Sequence, residues 1–214
     1  MKAAAISTSG GTALRFLRRG GIRNGQEVLV YGASGGVGTY AVQLARHYGA
    51  QVAGVCRTSN LELVKSLGAD RVIDYTREDF TAIGQTYDII FDTVGKISFS
   101  HCKNLLKKNG AFLEAVMVLA EIKERWVRLT TGRRVVGSTE GEQKDDLVYL
   151  GELVEAGSVK PVIDRRYPLE RIADAHRYID TGHKRGNVVI TVGKRTEDNT
   201  PASENRRKTG HEHE

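Results

Sequence analysis

The amino-acid sequence predicts an α/β protein: a doubly wound parallel sheet with helices on both faces, in three α/β/α layers. Short apolar runs alternate with amphipathic runs along most of the chain, which is the order of strands and helices that builds a parallel sheet. A glycine-rich turn separates the first apolar run from the first amphipathic one. With 214 residues, 40% of them hydrophobic, the chain can bury a full core.

The first strand, turn and helix form a recognisable phosphate-binding pattern. Residues 28–31 are apolar and run into the turn G-A-S-G-G-V-G at residues 32–38, which precedes an amphipathic run at residues 39–48. Glycines in such a turn let the backbone approach a pyrophosphate, and the following helix directs N–H groups and its positive dipole end at the anion. The helix has one apolar stripe that can pack on a sheet, made of Val37, Tyr40, Ala41, Leu44, Ala45 and Tyr48.

A second strand and helix complete this unit. Residues 51–56 are predicted to form a buried strand, and residues 61–67 a helix that ends at Gly68. Together they give a strand-helix-strand unit of roughly 30 residues, the length expected of half a dinucleotide-binding sheet. A glycine turn in an unrelated α/β domain is the alternative, and the ordered succession of elements disfavours it.

The rest of the chain continues the alternation. Further strands are predicted at residues 71–73, 87–91, 110–115, 134–138, 162–167 and 187–192. Helices are predicted at residues 98–107, 143–156 and 169–179. Ligands of doubly wound sheets bind outside the carboxyl ends of the central strands, and Asp92 and Val94 follow such a strand.

The composition of the chain indicates in which cellular compartment we expect the protein. No run of about 18 apolar residues occurs, and the apolar start is too short for a secretory signal. The two cysteines, Cys56 and Cys102, lie in apolar surroundings without zinc-type spacing, which favours a reduced, cytoplasmic protein. Residues 194–214 are polar and lack apolar periodicity, so we expect a disordered tail there.

The formal net charge of +6 raises the question of a nucleic-acid partner. Basic residues cluster at 15–23 and at 123–134, but both clusters are mixed with apolar residues at helical spacing or flank a strand. Solvated faces are therefore the favoured interpretation. No aromatic stacking motif of the RNA-binding type accompanies them, so a nucleic-acid partner is not expected.

Several motifs together resemble the medium-chain dehydrogenase/reductase superfamily. They are G-A-S-G-G-V-G with A-V-Q-L-A at 32–45, S-L-G-A-D-R-V-I-D-Y at 66–75, F-D-T-V-G at 91–95, and the closing stretch at 175–190. Within the superfamily the chain looks like the zinc-free, zeta-crystallin-like quinone oxidoreductase branch. The resemblance implies a Rossmann sheet that binds NAD(P)H and a small quinone or carbonyl substrate.

The resemblance also divides the chain. Residues 1–25 look like the junction helix region, residues 26–193 like the dinucleotide-binding domain with the family's C-terminal segment, and residues 194–214 form the expected tail. The family's N-terminal, GroES-like catalytic domain has no counterpart among these residues. We therefore name no catalytic residue and no metal ligand.

Cofactor-binding residues follow from the turn and the resemblance. The predicted pyrophosphate loop consists of Gly32, Ser34, Gly35, Gly36, Val37 and Gly38. The resemblance places Thr12, on the junction helix, nearest the nicotinamide. The alternative for Thr12 is a hydroxyl that caps the start of the helix after Gly11.

The end of the second strand favours NADPH over NADH. An NAD enzyme is expected to carry Asp or Glu there, because a carboxylate accepts from the ribose hydroxyls and repels a 2′-phosphate. Here the strand runs into C-R-T-S-N, with no acid before Glu62. Arg57 offers a cation and Ser59 a hydroxyl to a phosphate, although Arg57 can also be a solvated loop residue.

Two functions from different classes remain open. The first is an NADPH-dependent oxidoreductase that passes a hydride to a small quinone, enone or carbonyl acceptor, and the second is a non-catalytic NADPH-binding module, a sensor or assembly partner. Short-chain dehydrogenase chemistry needs a Tyr with a Lys four residues later, which none of the eight tyrosines has. The resemblance further implies a homodimer, joined through the edge strand around Val135.

Overall fold

A six-stranded, fully parallel sheet lies at the centre of the computed structural model, which describes residues 2–115, 131–137 and 144–192. Its strands are β1 (Glu27–Tyr31), β2 (Gln51–Cys56), β3 (Arg71–Asp74), β4 (Tyr87–Asp92), β5 (Leu106–Glu114) and β6 (Arg134–Val136). The strand order is β3-β2-β1-β4-β5-β6, in which the chain reverses its direction of travel between β1 and β4. This is the order of a doubly wound Rossmann sheet and confirms the predicted fold class.

Helices cover both faces of this sheet. In the described part of the chain they are α1 (Lys2–Gly20), α2 (Gly36–His47), α3 (Leu61–Ser66), α4 (Phe99–Cys102), α5 (Lys144–Glu155) and α6 (Ile172–Asp180). Short 3₁₀ turns occur at Thr58–Asn60, Lys103–Leu105 and Leu169–Arg171. Among the described helices, none combines the length and the apolar character that crossing a membrane requires.

Two apolar cores form because successive side chains of a strand point to opposite faces of the sheet. In β1, Val28 and Val30 pack in the core that also contains buried residues of α1, α2 and α5, whereas Leu29 packs in the core with α4. The predicted stripe of α2 is confirmed, since Tyr40 and Leu44 are fully buried. Helix α1 belongs to the same core as the sheet that follows it.

The segment between β4 and β5 differs from the prediction. The expected helix at 98–107 is shorter: α4 covers Phe99–Cys102, a 3₁₀ turn follows at Lys103–Leu105, and β5 already begins at Leu106. Asn109 adopts a left-handed conformation with φ 67°, and a Cβ on Gly110 would lie 3.0 Å from the nearest backbone oxygen. Asn and Gly tolerate such backbone conformations readily, so β5 passes through an irregular stretch at Asn109 and Gly110. Its first two residues take the place of the predicted end of the helix.

Other boundaries shift by a few residues. Strand β6 has three residues, and the predicted end of that strand at Ser138 lies outside the described residues, as do Gln143 and the expected tail at 194–214. The predicted helix at 169–179 begins as a 3₁₀ turn before α6.

A small second sheet follows the main one. Strands β7 (Ile163–Pro168) and β8 (Asn187–Thr191) pair in parallel, with α6 in the crossover between them. The N–H of Gly186 donates to the carbonyl oxygen of Ser34 at 2.8 Å, and the N–H of Asn187 donates to that of Val162 at 2.9 Å. The segment before β8 therefore lies against the glycine turn that follows β1.

Candidate functional site

A cavity of about 730 Å³ opens at the carboxyl end of the central strands, beside the point where the strand order reverses. Its walls come from the turns after β1 and β2, the loop after β4 and the segment after α6. The lining residues are Ser9, Tyr31, Gly32, Ser34, Gly35, Gly36, Val37, Cys56, Arg57, Asn60, Tyr75, Thr93, Val94, Lys96, Ile179, Gly182, His183 and Lys184.

The glycine turn forms one wall of this cavity with backbone alone. Gly32 has φ +80°, and a Cβ there would lie 2.7 Å from a methyl group of Val94. The residue before α2, Gly35, gives the helix no side-chain cap, and no acidic residue occupies the first turn of α2. Helix α2 therefore presents an uncapped N-terminus with its positive dipole end, which suits an anion.

Gly38 serves the packing of this turn. A Cβ on Gly38 would lie 2.1 Å from the carbonyl oxygen of Gly32 and 2.9 Å from backbone atoms of Ala33, so the first turn of α2 can approach the glycine turn only without a side chain. Gly38 itself does not line the cavity. The other predicted loop residues do.

The cavity is electropositive. Arg57, Lys96 and Lys184 line it, and no Asp or Glu of the described chain does. The ammonium of Lys184 donates to the carbonyl oxygen of Gly186 at 2.9 Å and lies 3.1 Å from the position that a Cβ on Gly36 would take. Burial lowers the pKa of Lys184, so an anion beside this cation would offset the lost hydration.

The carboxylate of Asp92 is turned away from the cavity. Its Oδ1 accepts from the N–H groups of Val94 and Gly95 at 3.0 and 2.9 Å, and its Oδ2 accepts from that of Ile97 at 2.9 Å. Asp92 is fully buried and holds the loop after β4, which brings Val94 and Lys96 to the cavity. The predicted contact of Asp92 with a cofactor remains a prediction, while Val94 lies where the sequence places it.

The turn after β2 brings Arg57 to the cavity but leaves Ser59 outside it. Ser59 is exposed, whereas the neighbouring Asn60 is buried and donates from Nδ2 to the hydroxyl of Ser34 at 2.9 Å. The guanidinium of Arg57 has no hydrogen-bond or ion-pair partner within the described ranges. An unpaired cation at the wall of a cavity is free to receive an anionic group.

Helix α1 reaches the cavity one turn earlier than predicted. Thr12 is half-buried and does not line it, whereas Ser9 does and donates to Oδ1 of Asn187 at 2.8 Å. The alternative role of Thr12 as a cap is wrong, because α1 begins at Lys2. Its role beside the nicotinamide stays a prediction.

Sequence reasoning missed Ser9, Lys96 and Lys184. Ser9 and Lys184 reach the cavity through tertiary packing from distant parts of the chain, whereas Lys96 lies in the loop after β4, two residues beyond Val94. For Lys184 a signal was present: it belongs to the basic run H-K-R that immediately precedes the last strand.

Cys56 lines the cavity as a buried thiol. Its side chain is 2% exposed, and burial raises the pKa of the thiol to about 11. The reactive thiolate is therefore scarce at neutral pH. Across the described ranges, no group of three or more His, Cys, Asp or Glu side chains is placed to hold a metal ion.

The first basic cluster is occupied by packing contacts. Asp146 accepts from Arg18 at 2.7 Å and lies 3.7 Å from Arg15, which joins α1 to α5. In the second cluster, Arg134 donates to the carbonyl oxygen of Gly20 at the end of α1. Of the second cluster, residues 123–130 lie outside the described residues.

A doubly wound sheet with a glycine cradle and cations at its topological switch point defines a nucleotide-binding α/β domain. The chain belongs to the zinc-binding dehydrogenase family, whose model matches residues 67–190, and thus to the medium-chain dehydrogenase/reductase superfamily that the motifs indicated.

The proteins that the chain resembles include a reductase and several oxidoreductases. The chain is 38% identical over 193 residues to a 2-methylene-furan-3-one reductase of Solanum lycopersicum, covering 88% of this chain and 46% of the relative. It is 36% identical over 170 residues to a chloroplastic NADPH-dependent alkenal/one oxidoreductase of Arabidopsis thaliana, covering 78% of this chain and 40% of the relative. The quinone oxidoreductase of Coxiella burnetii superposes with a TM-score of 0.81 at 32% identity, covering 89% of this chain and 60% of that one.

The chain spans about half the length of the curated relatives it matches.

Proposed function

We propose that this protein is an NADPH-binding oxidoreductase that passes a hydride to a small quinone, enone or carbonyl acceptor. The observation that carries the proposal is the cavity itself: a backbone cradle at the start of α2 faces three cations, and no described carboxylate lines it. Such a site favours a ligand with several phosphate charges. The names of the relatives, which include an NADPH-dependent oxidoreductase and a quinone oxidoreductase, support the same function.

The residues present fit this cofactor. We assign the pyrophosphate to Gly35, Gly36 and Val37 together with Lys184, and the adenosine 2′-phosphate to Arg57. Tyr31 and Tyr75, whose rings lie 6.3 Å apart at the cavity wall, offer aromatic surface to a base. The cavity volume falls in the range of small-molecule sites, about 300–1,000 Å³.

NADPH, when bound, supplies the hydride, and the protein supplies orientation and a dry surrounding. The glycine cradle and Lys184 would fix the phosphates. The fixed phosphates would then determine how far the nicotinamide end of the cofactor extends along the cavity. Val94 and Ile179, both partly exposed, would give that part of the cavity an apolar wall from which water is excluded.

NADPH is favoured over NADH because Arg57 follows β2 where an NAD enzyme is expected to carry an acid. A guanidinium binds phosphate through paired, charge-assisted hydrogen bonds, which are stronger than a single bond to a neutral ribose hydroxyl. Zinc is no part of the proposed site, since a zinc ion takes several Cys and His ligands and the described cavity wall supplies only Cys56 and His183.

We also propose a homodimer that pairs through β6, and a cytoplasmic location. The buried free thiols of Cys56 and Cys102 support a reducing compartment. Because some relatives are named chloroplastic or mitochondrial, cell fractionation is the test of location. Recovery of the protein with organelles would contradict it.

The function is tested by adding NADPH and then a panel of enones, quinones and aldehydes while the absorbance of the reduced nicotinamide is recorded. We expect saturable NADPH binding and slow oxidation that depends on the acceptor, because rapid transfer needs the acceptor held in a cleft closed to water. Binding without any acceptor-dependent oxidation would favour the non-catalytic module. Absence of NADPH binding would contradict both functions.

A further inference from the structure

Asp74 fastens the turn after β2 to the end of β3. Its carboxylate is buried, and Oδ2 accepts from the hydroxyl of Thr58 at 2.5 Å. Oδ1 accepts from the N–H and the hydroxyl of Thr76 at 3.0 and 2.7 Å. Because Thr58 is the first residue of the 3₁₀ turn Thr58–Asn60, this carboxylate holds the turn from the side of β3.

A second tie holds the same turn from the side of the glycine loop. Asn60 donates from Nδ2 to the hydroxyl of Ser34 at 2.9 Å, and its N–H donates to the carbonyl oxygen of Arg57 at 2.9 Å. The turn is thus fixed at both ends, between Asp74 and Ser34. Arg57 precedes it directly and lines the cavity.

Asp74 stays ionised, and its negative charge is stabilised by its neighbours. The side chain of Arg77 lies 3.6 Å from Oδ2, and the hydrogen bond from Thr58, followed by those from Thr76, lowers the pKa of Asp74. At neutral pH the group is therefore a hydrogen-bond acceptor only. Its acceptor positions face Thr58, Thr76 and Arg77 and not the cavity, which Asp74 does not line.

Resting on the proposed NADPH function, we propose that Asp74 is a positioning residue for selection of the adenosine 2′-phosphate: through Thr58 it fixes the turn from which Arg57 receives that phosphate. Asp74 itself is proposed to act through Thr58 and not to contact the cofactor. A turn ordered before binding spares the conformational entropy that a mobile turn would lose on binding. NADH has no 2′-phosphate and gains nothing from this order, so the effect is confined to NADPH.

Two single variants and their combination test the hydrogen bond between Thr58 and Asp74. Thr58→Val keeps the side-chain shape and removes the donor, Asp74→Asn weakens the acceptor, and the double variant tests whether both act through one hydrogen bond. We expect each single variant to weaken NADPH roughly tenfold, the effect of one hydrogen bond to a charged group, and to leave NADH within about twofold. The double variant should be no weaker than the poorer single one, and Thr58→Ser should bind NADPH as the parent does.

Asp79 provides the matched control. Its Oδ1 accepts from the N–H and the hydroxyl of Thr81 at 2.8 and 2.7 Å, the same local pattern that Asp74 forms with Thr76. Asp79 does not line the cavity, so Asp79→Asn should leave the affinities for both cofactors unchanged. A readout without cofactor is amide hydrogen exchange of Asn60, which should be faster in Thr58→Val and unchanged in Asp79→Asn.

Equal weakening of NADPH and NADH in Asp74→Asn would overturn the selection role, because it would indicate a general disturbance of the site. A loss of NADPH affinity in Thr58→Val with none in Asp74→Asn would also overturn it, since Thr58 would then act on the phosphate directly. If the parent binds NADPH and both variants match it, the selection role alone fails. If the parent binds no NADPH, the proposed function fails as well.

Discussion

Lys184 lies over Gly36: the ammonium of Lys184 is 3.1 Å from the point where a Cβ on Gly36 would stand. The two residues are far apart in the sequence, and the hydrogen bond from the N–H of Gly186 to the carbonyl oxygen of Ser34 joins their segments. The segment before β8 thus adds a cation to a cradle that the βα turn builds from backbone. The phosphate site that we propose therefore combines the turn after β1 with the segment before β8.

Replacing Lys184 by Met should weaken NADPH and NADH alike. The pyrophosphate is common to both cofactors, and loss of a charge-assisted contact costs about 1–3 kcal/mol of binding free energy. Calorimetric titration with each cofactor measures it. Lys65→Met is the matched control, because Lys65 is exposed on α3 and does not line the cavity. Weakening of NADPH alone would contradict the assignment of Lys184 to the pyrophosphate.

Substitution by alanine should destabilise the protein far more at Gly38 than at Gly35, although both glycines belong to the same loop. A Cβ on Gly38 would lie 2.1 Å from the backbone oxygen of Gly32, whereas a Cβ on Gly35 would lie 3.3 Å from it. Gly38→Ala should therefore lower the free energy of unfolding by about 3 kcal/mol or more, and Gly35→Ala by much less. Thermal denaturation of the two variants compares them, and equal stability would show that α2 does not pack on the turn as described.

The cysteines should make stability fall in alkaline solution. Burial raises the pKa of Cys56 to about 11 and that of Cys102 to about 12, above the ordinary thiol value of 9.0. A raised folded-state pKa means that the unfolded chain loses its protons first, so this contribution is complete below pH 9 and is lost as the pH rises toward the folded values. The slope should reach at most about 1.4 kcal/mol per pH unit per thiol.

Denaturant titrations between pH 8 and pH 10, a window of about two units around the thiol pKa of an unfolded chain, measure this slope. Cys102→Ala is the control variant, and its stability should depend less steeply on pH whatever its absolute value. Rapid reaction of either thiol with a thiol reagent in the folded protein would contradict the burial on which the prediction rests.

The chain should form a dimer through β6. Strand β6 is the last in the sheet order within the described part of the chain, and Val135 and Val136 are buried against the sheet. A strand at the end of a sheet offers N–H and C=O groups to another chain. Sedimentation at tens of micromolar protein should show a dimer, and a strict monomer at that concentration would count against the proposal.

The sequence predicted the parts of the fold that local patterns encode. Strands β1 and β2 and helix α2 begin and end close to the expected residues, because their apolar periodicity and the glycines that flank them are local features. The helix expected at 98–107 is shorter, because its last two residues belong to β5. Pairing with β4 decides where the helix gives way to the strand, and pairing is not visible in one sequence.

The candidate site was predictable where its residues directly follow a strand, as Val94 follows β4. Gly32 and Arg57 follow strands directly and line the cavity as expected, whereas Ser9 and Lys184 arrive from distant segments. Asp92 was expected at the ligand because it ends a central strand. Its hydrogen bonds hold the next loop, and its contact with a cofactor stays a prediction.

The preference for NADPH is tested most directly by titrating the parent protein and Arg57→Ala with NADPH and with NADH, with calorimetry or fluorescence as the readout. The parent should bind NADPH more tightly than NADH, and Arg57→Ala should lose about 1–3 kcal/mol toward NADPH and almost nothing toward NADH. Arg166→Ala, which removes an exposed arginine of β7 that does not line the cavity, should match the parent. Equal or reversed affinity of the parent for the two cofactors would contradict the claim that this cavity is built for NADPH.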